Sequence, residues 1–543
     1  MSKTSYSFFM LLFLFGFVSA QENLPNPDKA FANENFRAAI KGYKKQLITK
    51  PKDYRAQFQL GKCYINTLGE HEKAIFYLEK IKDRKDNNFE VLYYLGRAYH
   101  LNYKFDLAIS TYSTLIDSTS DVVLVKNAQR QIEMCNNAIM LTSNPVNVTL
   151  RNMGDTINSS ADDYNAFIDQ TESIMVFASR RKKRNKAEVP FSNGEYTSDI
   201  FLSYYEEGAW QKLKSQSNIS TAENEEIVGL SADGKLMFYS SNTKGALGEM
   251  IVSKRKSGSF KEPIMIEKTI NSKAFEVTAS VSNSRQKFFY ASNRDGGFGE
   301  FDLYWANRLP DVNWAKPQQL GARINTEYNE LYPQLSPDEK TLYFSSEGHN
   351  SMGGYDLFRC DWDPKNLLWG SPQNLGYPIN TPEDDMHLAI NADGSVGYIS
   401  TWRKDSRGGL DIYNVTFNDA EIKASIITGN IFATVAISYQ GAPDNFNKTK
   451  TKAEIKLKDV LLDVYDSAGE LVGSYLTSPS SGKFVLVLAP GKYTIELFAE
   501  GYQETIIPFE VYGKRDFVRL VSKNLSIKYD EAHPPVNYKY ITQ

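Results

Sequence analysis

"NELYPQLSPDEKTLYFSSEGHNSMGGYDLFRCDW", Asn329–Trp362, holds an acid, a short segment, an Asp turn, a second segment ending in Ser, a Gly-rich loop and an Asp-led aromatic segment. The same sentence returns along the chain. Its second segment aligns at Phe177, Tyr239, Tyr290, Phe344 and Ile399, and fourteen residues before each lies an acid: Asp163, Glu225, Glu276, Glu330 and Asp385. Six residues before each acid stands an Ile: Ile157, Ile219, Ile270, Ile324 and Ile379. A second acid leads the downstream segment at Asp199, Glu249, Asp302, Asp356 and Asp411, and in four units an aromatic follows at Trp210, Phe260, Trp314 and Trp369. Registers that hold together at spacings of 51 to 62 residues mark a structural repeat and not an active site. Each unit has room for about four short strands, one blade of a β-propeller.

The turns agree with that reading. "SADGK", "SPDEK" and "NADGS" put Asp with Gly or Pro where a tight hairpin needs them. The fifth unit stops at "DIYNVTF", while a matching piece, "NPVNVTLRNMGDTINS", stands before the first acid. The expectation is that this upstream segment completes the last blade, removing two sheet edges. Five blades are expected over residues 144–418, and six if a degenerate unit lies around Arg180–Asn193 or after Phe417.

Ahead of the repeats, the period becomes helical. "YRAQFQLGKCYINTLGEHEKAIFYLEKI" and "FEVLYYLGRAYHLNYKFDLAISTYSTLI" repeat a Leu-Gly-x-x-Tyr unit, Leu60-Gly61 with Tyr64 and Leu95-Gly96 with Tyr99, 35 residues apart. Ala74, Ala108 and Tyr112 continue the pattern, and "FANENFRAAIKGYKKQLITKP" supplies an earlier half-unit. Residues 21–143 are therefore read as a stack of helix pairs in which Gly61 and Gly96 allow close approach. Behind the repeats, residues 419–522 alternate apolar and polar side chains between turns at "DSAGE", "PSSGK" and "APGKY", the pattern of a small antiparallel sandwich. "APDNFNKTKTK" reads as a long loop, and the tail 523–543 shows no clear period.

Composition bounds the function. A net charge of −3 provides no general attraction to nucleic acid or anionic lipid. "MSKTSYSFFMLLFLFGFVSA" has the basic head, apolar run and small-residue exit of a secretory signal peptide, residues 1–20, with the mature chain starting at Gln21 and no Cys there to take a lipid. No later apolar run is long enough to span a bilayer. Cys63, Cys135 and Cys360 share no metal spacing and read as buried small side chains, with a Cys63–Cys135 bridge as the alternative. The five His fall in no zinc-peptidase motif, and no nucleophile elbow, phosphate loop or dinucleotide fingerprint occurs in a fitting context, so no catalytic, metal or cofactor residue is assigned. Because the five repeat acids recur in equivalent positions, they read as structural groups that tie neighbouring blades by accepting hydrogen bonds; a ring of negative charge at the channel is the alternative. Trp210, Trp314 and Trp369 read as repeat packing, and "RRKKRNK", Arg180–Lys186, as a solvated loop or a contact for an acidic partner.

The helical units resemble the tetratricopeptide repeat. The "SPDEKTLYFSS…GGYDLF" units resemble the PD40, or WD40-like, repeats of TolB-type propellers, and "LAPGKYTIEL" with "AEGY" resembles the carboxypeptidase regulatory-like module. Taken together, the order resembles envelope-associated proteins of Bacteroidetes, similar to the PorE-type component of type IX secretion, without the C-terminal OmpA-like domain of that layout. The resemblance implies a non-enzymatic periplasmic scaffold peripheral to the outer membrane, with other envelope proteins as partners and no direct grip on peptidoglycan. Two other classes remain open: a secreted carbohydrate-active enzyme on the propeller, and a TolB-like peptide receptor.

Overall fold

The computed structural model describes residues 26–84, 89–182, 190–216, 219–221, 223–241, 249–256, 258–310, 313–419, 425–437, 451–478, 481–512 and 520–530. The expected signal peptide, residues 183–189 of the basic run, most of "APDNFNKTKTK" and the last 13 residues lie outside them. The chain divides into two compact units, one of Met1–Cys135 with Lys182–Thr197, the other of Asn136–Arg181 with Ser198–Gln543.

The first unit is helical. Helices α1 (Pro27–Ala32), α2 (Phe36–Thr49), α3 (Tyr54–Ile65), α4 (His71–Glu79), α5 (Glu90–Leu101) and α6 (Phe105–Ser118) pack each against the next, and α7 (Val122–Ser143) follows. Local signals start the early ones: Asn35 Oδ1 accepts from Ala38 N at 3.1 Å, and Asp53 Oδ1 from Ala56 N at 3.0 Å. Leu60, Tyr64, Leu95, Tyr99 and Ala108 are all buried. Gly61 and Gly96 sit where the pairs touch. A Cβ on Gly61 would lie 2.7 Å from Leu78 Cδ2, and one on Gly96 only 2.5 Å from Tyr112 Cε1. Cys63, Cys135 and Cys360 are buried free thiols, so the alternative of a Cys63–Cys135 bridge does not hold. Burial pushes the Cys63 and Cys135 thiols up to about 12.

In the second unit, five antiparallel sheets repeat one meander among the described residues. Their first strands are Asp163–Ile168, Glu225–Leu230, Glu276–Val281, Glu330–Leu335 and Met386–Ile390, and these pack in a closed circuit, the fifth returning against the first. The fifth sheet takes its outer strand from upstream: Val148–Asn152 pairs antiparallel with Asp411–Phe417, Val148 opposite Phe417 and Asn152 opposite Tyr413. Each first strand also carries a register shift one to four residues past the repeat acid. Asn165, Tyr332 and His387 occupy that bulge with φ of 54°, 52° and 56°, a left-handed backbone uncommon for such residues.

The sandwich pairs a sheet centred on Ser425–Ile437 with a sheet ordered Leu471–Leu476, Leu461–Asp466, Gly491–Phe498, Thr505–Val511. Ile431, Leu462, Val464, Phe484, Ile495 and Leu497 fill the space between them. The tail differs from expectation: Leu525–Tyr529 is a strand running parallel to Ser425–Ile437. Leu525 and Ile527 are buried while Ser526 and Lys528 are exposed, so a two-residue alternation too short to stand out in the sequence gains its weight from the sheet it joins.

Helix propensity alone would make Gly96→Ala stabilising by about 1 kcal/mol. The fully buried Tyr112 ring reverses the sign, because overpacking costs about 1–3 kcal/mol. Gly96→Ala therefore lowers the thermal midpoint of the helical unit, and adding Tyr112→Leu recovers part of the loss; an unchanged or raised midpoint in the single variant contradicts this packing.

Candidate functional site: the junctions between sheets

All five repeat acids are fully buried. Each accepts from the backbone N–H of the residue four positions earlier: Ser159 to Asp163 at 2.5 Å, Thr221 to Glu225 at 3.0 Å, Ser272 to Glu276 at 3.0 Å, Thr326 to Glu330 at 2.9 Å and Thr381 to Asp385 at 2.6 Å. The hydroxyls of those five residues donate to the same carboxylates. At four of the five acids a hydroxyl sixteen positions later adds a third donor, as from Ser292 to Glu276 at 2.9 Å and Thr401 to Asp385 at 2.6 Å. The acid thus freezes the loop that enters its sheet.

That loop grips the sheet before it. In the triplets Ile157-Asn158-Ser159, Ile270-Asn271-Ser272, Ile324-Asn325-Thr326 and Ile379-Asn380-Thr381, the Ile is buried and the Asn reaches back. Asn158 accepts from Ile412 N and donates to Ile412 O, both at 2.9 Å. Asn271 bonds Met250 in the same two ways at 2.8 and 2.9 Å, Asn325 bonds Leu303 at 2.9 and 3.1 Å, and Asn380 bonds Leu357 at 2.8 and 2.9 Å. An amide is the one short side chain that can satisfy a backbone N–H and C=O of the same residue together. The acid's own N–H completes the tie: Asp163 N donates to Leu410 O at 2.8 Å, Glu330 N to Phe301 O at 2.9 Å and Asp385 N to Tyr355 O at 2.7 Å. Carboxylate and amide together make a clasp between neighbouring sheets.

Sequence reasoning missed the cation. Arg181, Arg294 and Arg403 stand eighteen residues after Asp163, Glu276 and Asp385 and pair with them, Arg294 at 3.0 Å and Arg403 at 2.9 Å. Each also donates to the carbonyl of the clasp Ile, at 2.6 Å on Ile157, 3.0 Å on Ile270 and 2.8 Å on Ile379. Arg180 and Arg181, read as the start of a solvated loop, are structural: Arg181 also lies over the Phe201 ring, and Arg180 approaches Glu226. The signal was present in the eighteen-residue register, and the charge run around Arg181 concealed it.

The ring axis is crossed by side chains. Asn283 Nδ2 in the third sheet donates to Gln170 Oε1 in the first at 3.1 Å, and the Tyr332 side chain in the fourth sheet faces Asn165 in the first. His387 packs on Phe167 at 4.3 Å between centroids, its ring nitrogens without hydrogen-bond partners, and burial lowers its pKa to about 3, so it is neutral. Trp314 belongs to the core between the second and third sheets, and Trp210 and Trp369 contact other aromatics, Tyr398 and Phe289 among them. Among the described residues no group of three or more His, Cys, Asp or Glu is placed to hold a metal, and no helix is long and apolar enough to cross a membrane.

The helical unit offers a second cluster that no linear motif announces. Lys62 Nζ lies 5.4 Å from the Phe31 ring, 5.3 Å from Phe58 and 4.6 Å from Tyr94, rings contributed by α1, α3 and α5. Burial lowers the Lys62 pKa, and Glu90 opposes that only at a distance.

Removing Arg403 strands the Asp385 carboxylate. Breaking one side of a buried pair costs about 3–5 kcal/mol, so Arg403→Met destabilises the sheet ring by that order, while Arg359→Met, a partly exposed residue whose guanidinium bonds the uncharged Gln373, changes little. Equal effects in denaturant titrations would contradict the clasp.

The tetratricopeptide repeat profile matches residues 55–84, which span α3 and α4. Comparison with curated protein sequences returns no match. Among solved structures, a TolB candidate from Agrobacterium tumefaciens is 14% identical, with 63% of this chain and 97% of that one covered and a TM-score of 0.29. A glycosidase candidate from Bacteroides thetaiotaomicron is 13% identical, covering 48% and 88% at a TM-score of 0.29. An α-L-arabinofuranosidase from Fusarium graminearum is 10% identical, covering 49% and 99% at 0.30. Likenesses at these scores carry no argument about what this chain does.

Proposed function

We propose that the protein is a non-enzymatic scaffold: an exported, periplasmic chain peripheral to the outer membrane that holds together components of an envelope complex of the type IX secretion or gliding kind. In this reading its five sheets form a five-bladed PD40-type propeller over residues 144–418, flanked by a tetratricopeptide stack over 21–143 and a regulatory-like sandwich from 419. The observation that carries the reading is the Lys62 cluster. A half-buried ammonium held by three rings from three helices, with no ion pair to a carboxylate among the described residues, is a prepared contact for an anionic segment of a partner protein. Weak contacts of this kind gain strength when linked modules engage one assembly together.

The repeat acids favour this reading over a carbohydrate-active enzyme. A glycosidase needs two carboxyls in unlike environments facing a substrate, whereas these five are buried and committed to hydroxyl and backbone donors. The bridges across the ring axis likewise disfavour a receptor that threads a peptide through the channel.

Affinity purification of the full chain after cross-linking in native envelopes is expected to recover other envelope proteins, with recovery reduced several-fold by Lys62→Met. Recovery of the chain alone, or of soluble polysaccharide in place of protein, overturns the proposal.

A further inference from the structure

The junction at Glu330 differs from the three that carry an Arg. Where the third sheet meets the fourth, the residue eighteen positions after Glu330 is Gly348 in place of an Arg. A Cβ there would lie 2.3 Å from Thr326 Oγ1, so no longer side chain fits. His349 takes over one of the missing Arg's tasks, its Nε2 lying 2.9 Å from Ile324 O, and it does not pair with the acid. Glu330 keeps only uncharged donors: Thr326 N at 2.9 Å, Thr326 Oγ1 at 2.7 Å and Ser346 Oγ at 2.8 Å.

The facing acid, Asp302, has one partner fewer than its counterparts. Asp356 and Asp411, the corresponding residues at two Arg-capped junctions, each accept from an Asn amide, Asn374 and Asn152, at 2.7 Å. Those amides stand eighteen residues after Asp356 and, through the strand from upstream, beside Asp411; the same position after Asp302 is Leu320. Asp302 Oδ2 accepts from Phe298 N at 2.9 Å and from no amide side chain; its Oδ1 is buried with no partner, as are Asp356 Oδ1 and Asp411 Oδ1. Two buried carboxyls therefore meet here, and among the described residues no cation is paired with either. The charged groups around them are committed elsewhere: Arg294 to Glu276, Glu347 to Asn329 and Asp356 to Asn374, while the His349 ring packs against Phe344 and Phe358.

We infer that the Asp302–Glu330 junction holds a proton where the Asp163, Glu276 and Asp385 junctions hold an Arg, which makes it a pH-sensitive seam beside three charge-capped ones. A buried carboxyl pair without a counter-cation cannot hold two charges. Burial pushes Glu330 up to about 8 against its three donors, with Asp302 adding to the rise, and burial raises Asp302 as well. Because the folded-state pKa lies above the unfolded value of about 4.5, the stabilisation is complete below that value and is lost as pH rises through about 8. Alkaline medium opens this seam before the three Arg-capped ones.

The amides that cross the junctions read this directly. In the full chain, hydrogen exchange corrected for intrinsic rates compares Glu330 N–H, bonded to Phe301 O, with Asp385 N–H and Asp163 N–H at Arg-capped junctions. Between pH 6 and pH 9 the protection of Glu330 N–H is expected to fall roughly tenfold or more, with the other two unchanged. Glu330→Gln, which keeps the shape without the charge, is expected to abolish that fall. Equal pH responses at the three junctions overturn the inference even if the variant does not fold, and so does a folded Glu330→Gln that keeps the fall.

Discussion

A side-chain amide that satisfies both backbone groups of one residue in the sheet before it, held by a carboxylate in the sheet after it, is the bond on which the ring depends. Sheets that meet only through apolar faces can slide or open, since burial is indifferent to a shift of a few ångströms. Asn158, Asn271, Asn325 and Asn380 remove that freedom, because each fixes a particular residue of the preceding sheet at hydrogen-bond distance from the loop. The clasp is polar yet buried at four junctions, with Ser220 in the Asn position at the fifth; an unpaired buried member costs its desolvation.

The repeat was legible because it is long-range and redundant. Five acids in register with five Ile and five downstream acids cannot arise from propensity, and the positions they mark do begin the five first strands or stand immediately before them. Gly61 and Gly96 were legible for a related reason, as small residues at fixed offsets inside an aromatic pattern. The clasp Asn could be seen as a recurring letter, but its role could not, since its partners lie in a sheet whose position only the fold supplies. Arg181 was obscured by the neighbouring basic run, and Gly348 by having no side chain to notice. The left-handed backbone at Asn165, Tyr332 and His387 leaves no trace in composition, because three unrelated residues share it. Lys62 was invisible for a spatial reason: its three rings come from helices that are brought together only by stacking.

The two units use their charged residues in opposite ways. In the sheet ring, Arg and carboxylate neutralise each other below the surface, so charge there serves cohesion. In the helical unit, Lys62 is left among aromatic faces that attract a cation without neutralising it. Charge thus serves cohesion in the sheet ring, while at Lys62 it sits among aromatic rings.

Ring closure by a strand from upstream has a kinetic price during synthesis. Val148–Asn152 emerges from the ribosome or translocon some 260 residues before Asp411–Phe417, so it must wait, unzipped, through the making of nearly the whole ring. The contact that completes the circle is thus among the most non-local in the chain, and such contacts slow folding and leave sheet edges open to aggregation meanwhile. A nascent chain of this design keeps that sheet edge unpaired until its last sheet arrives.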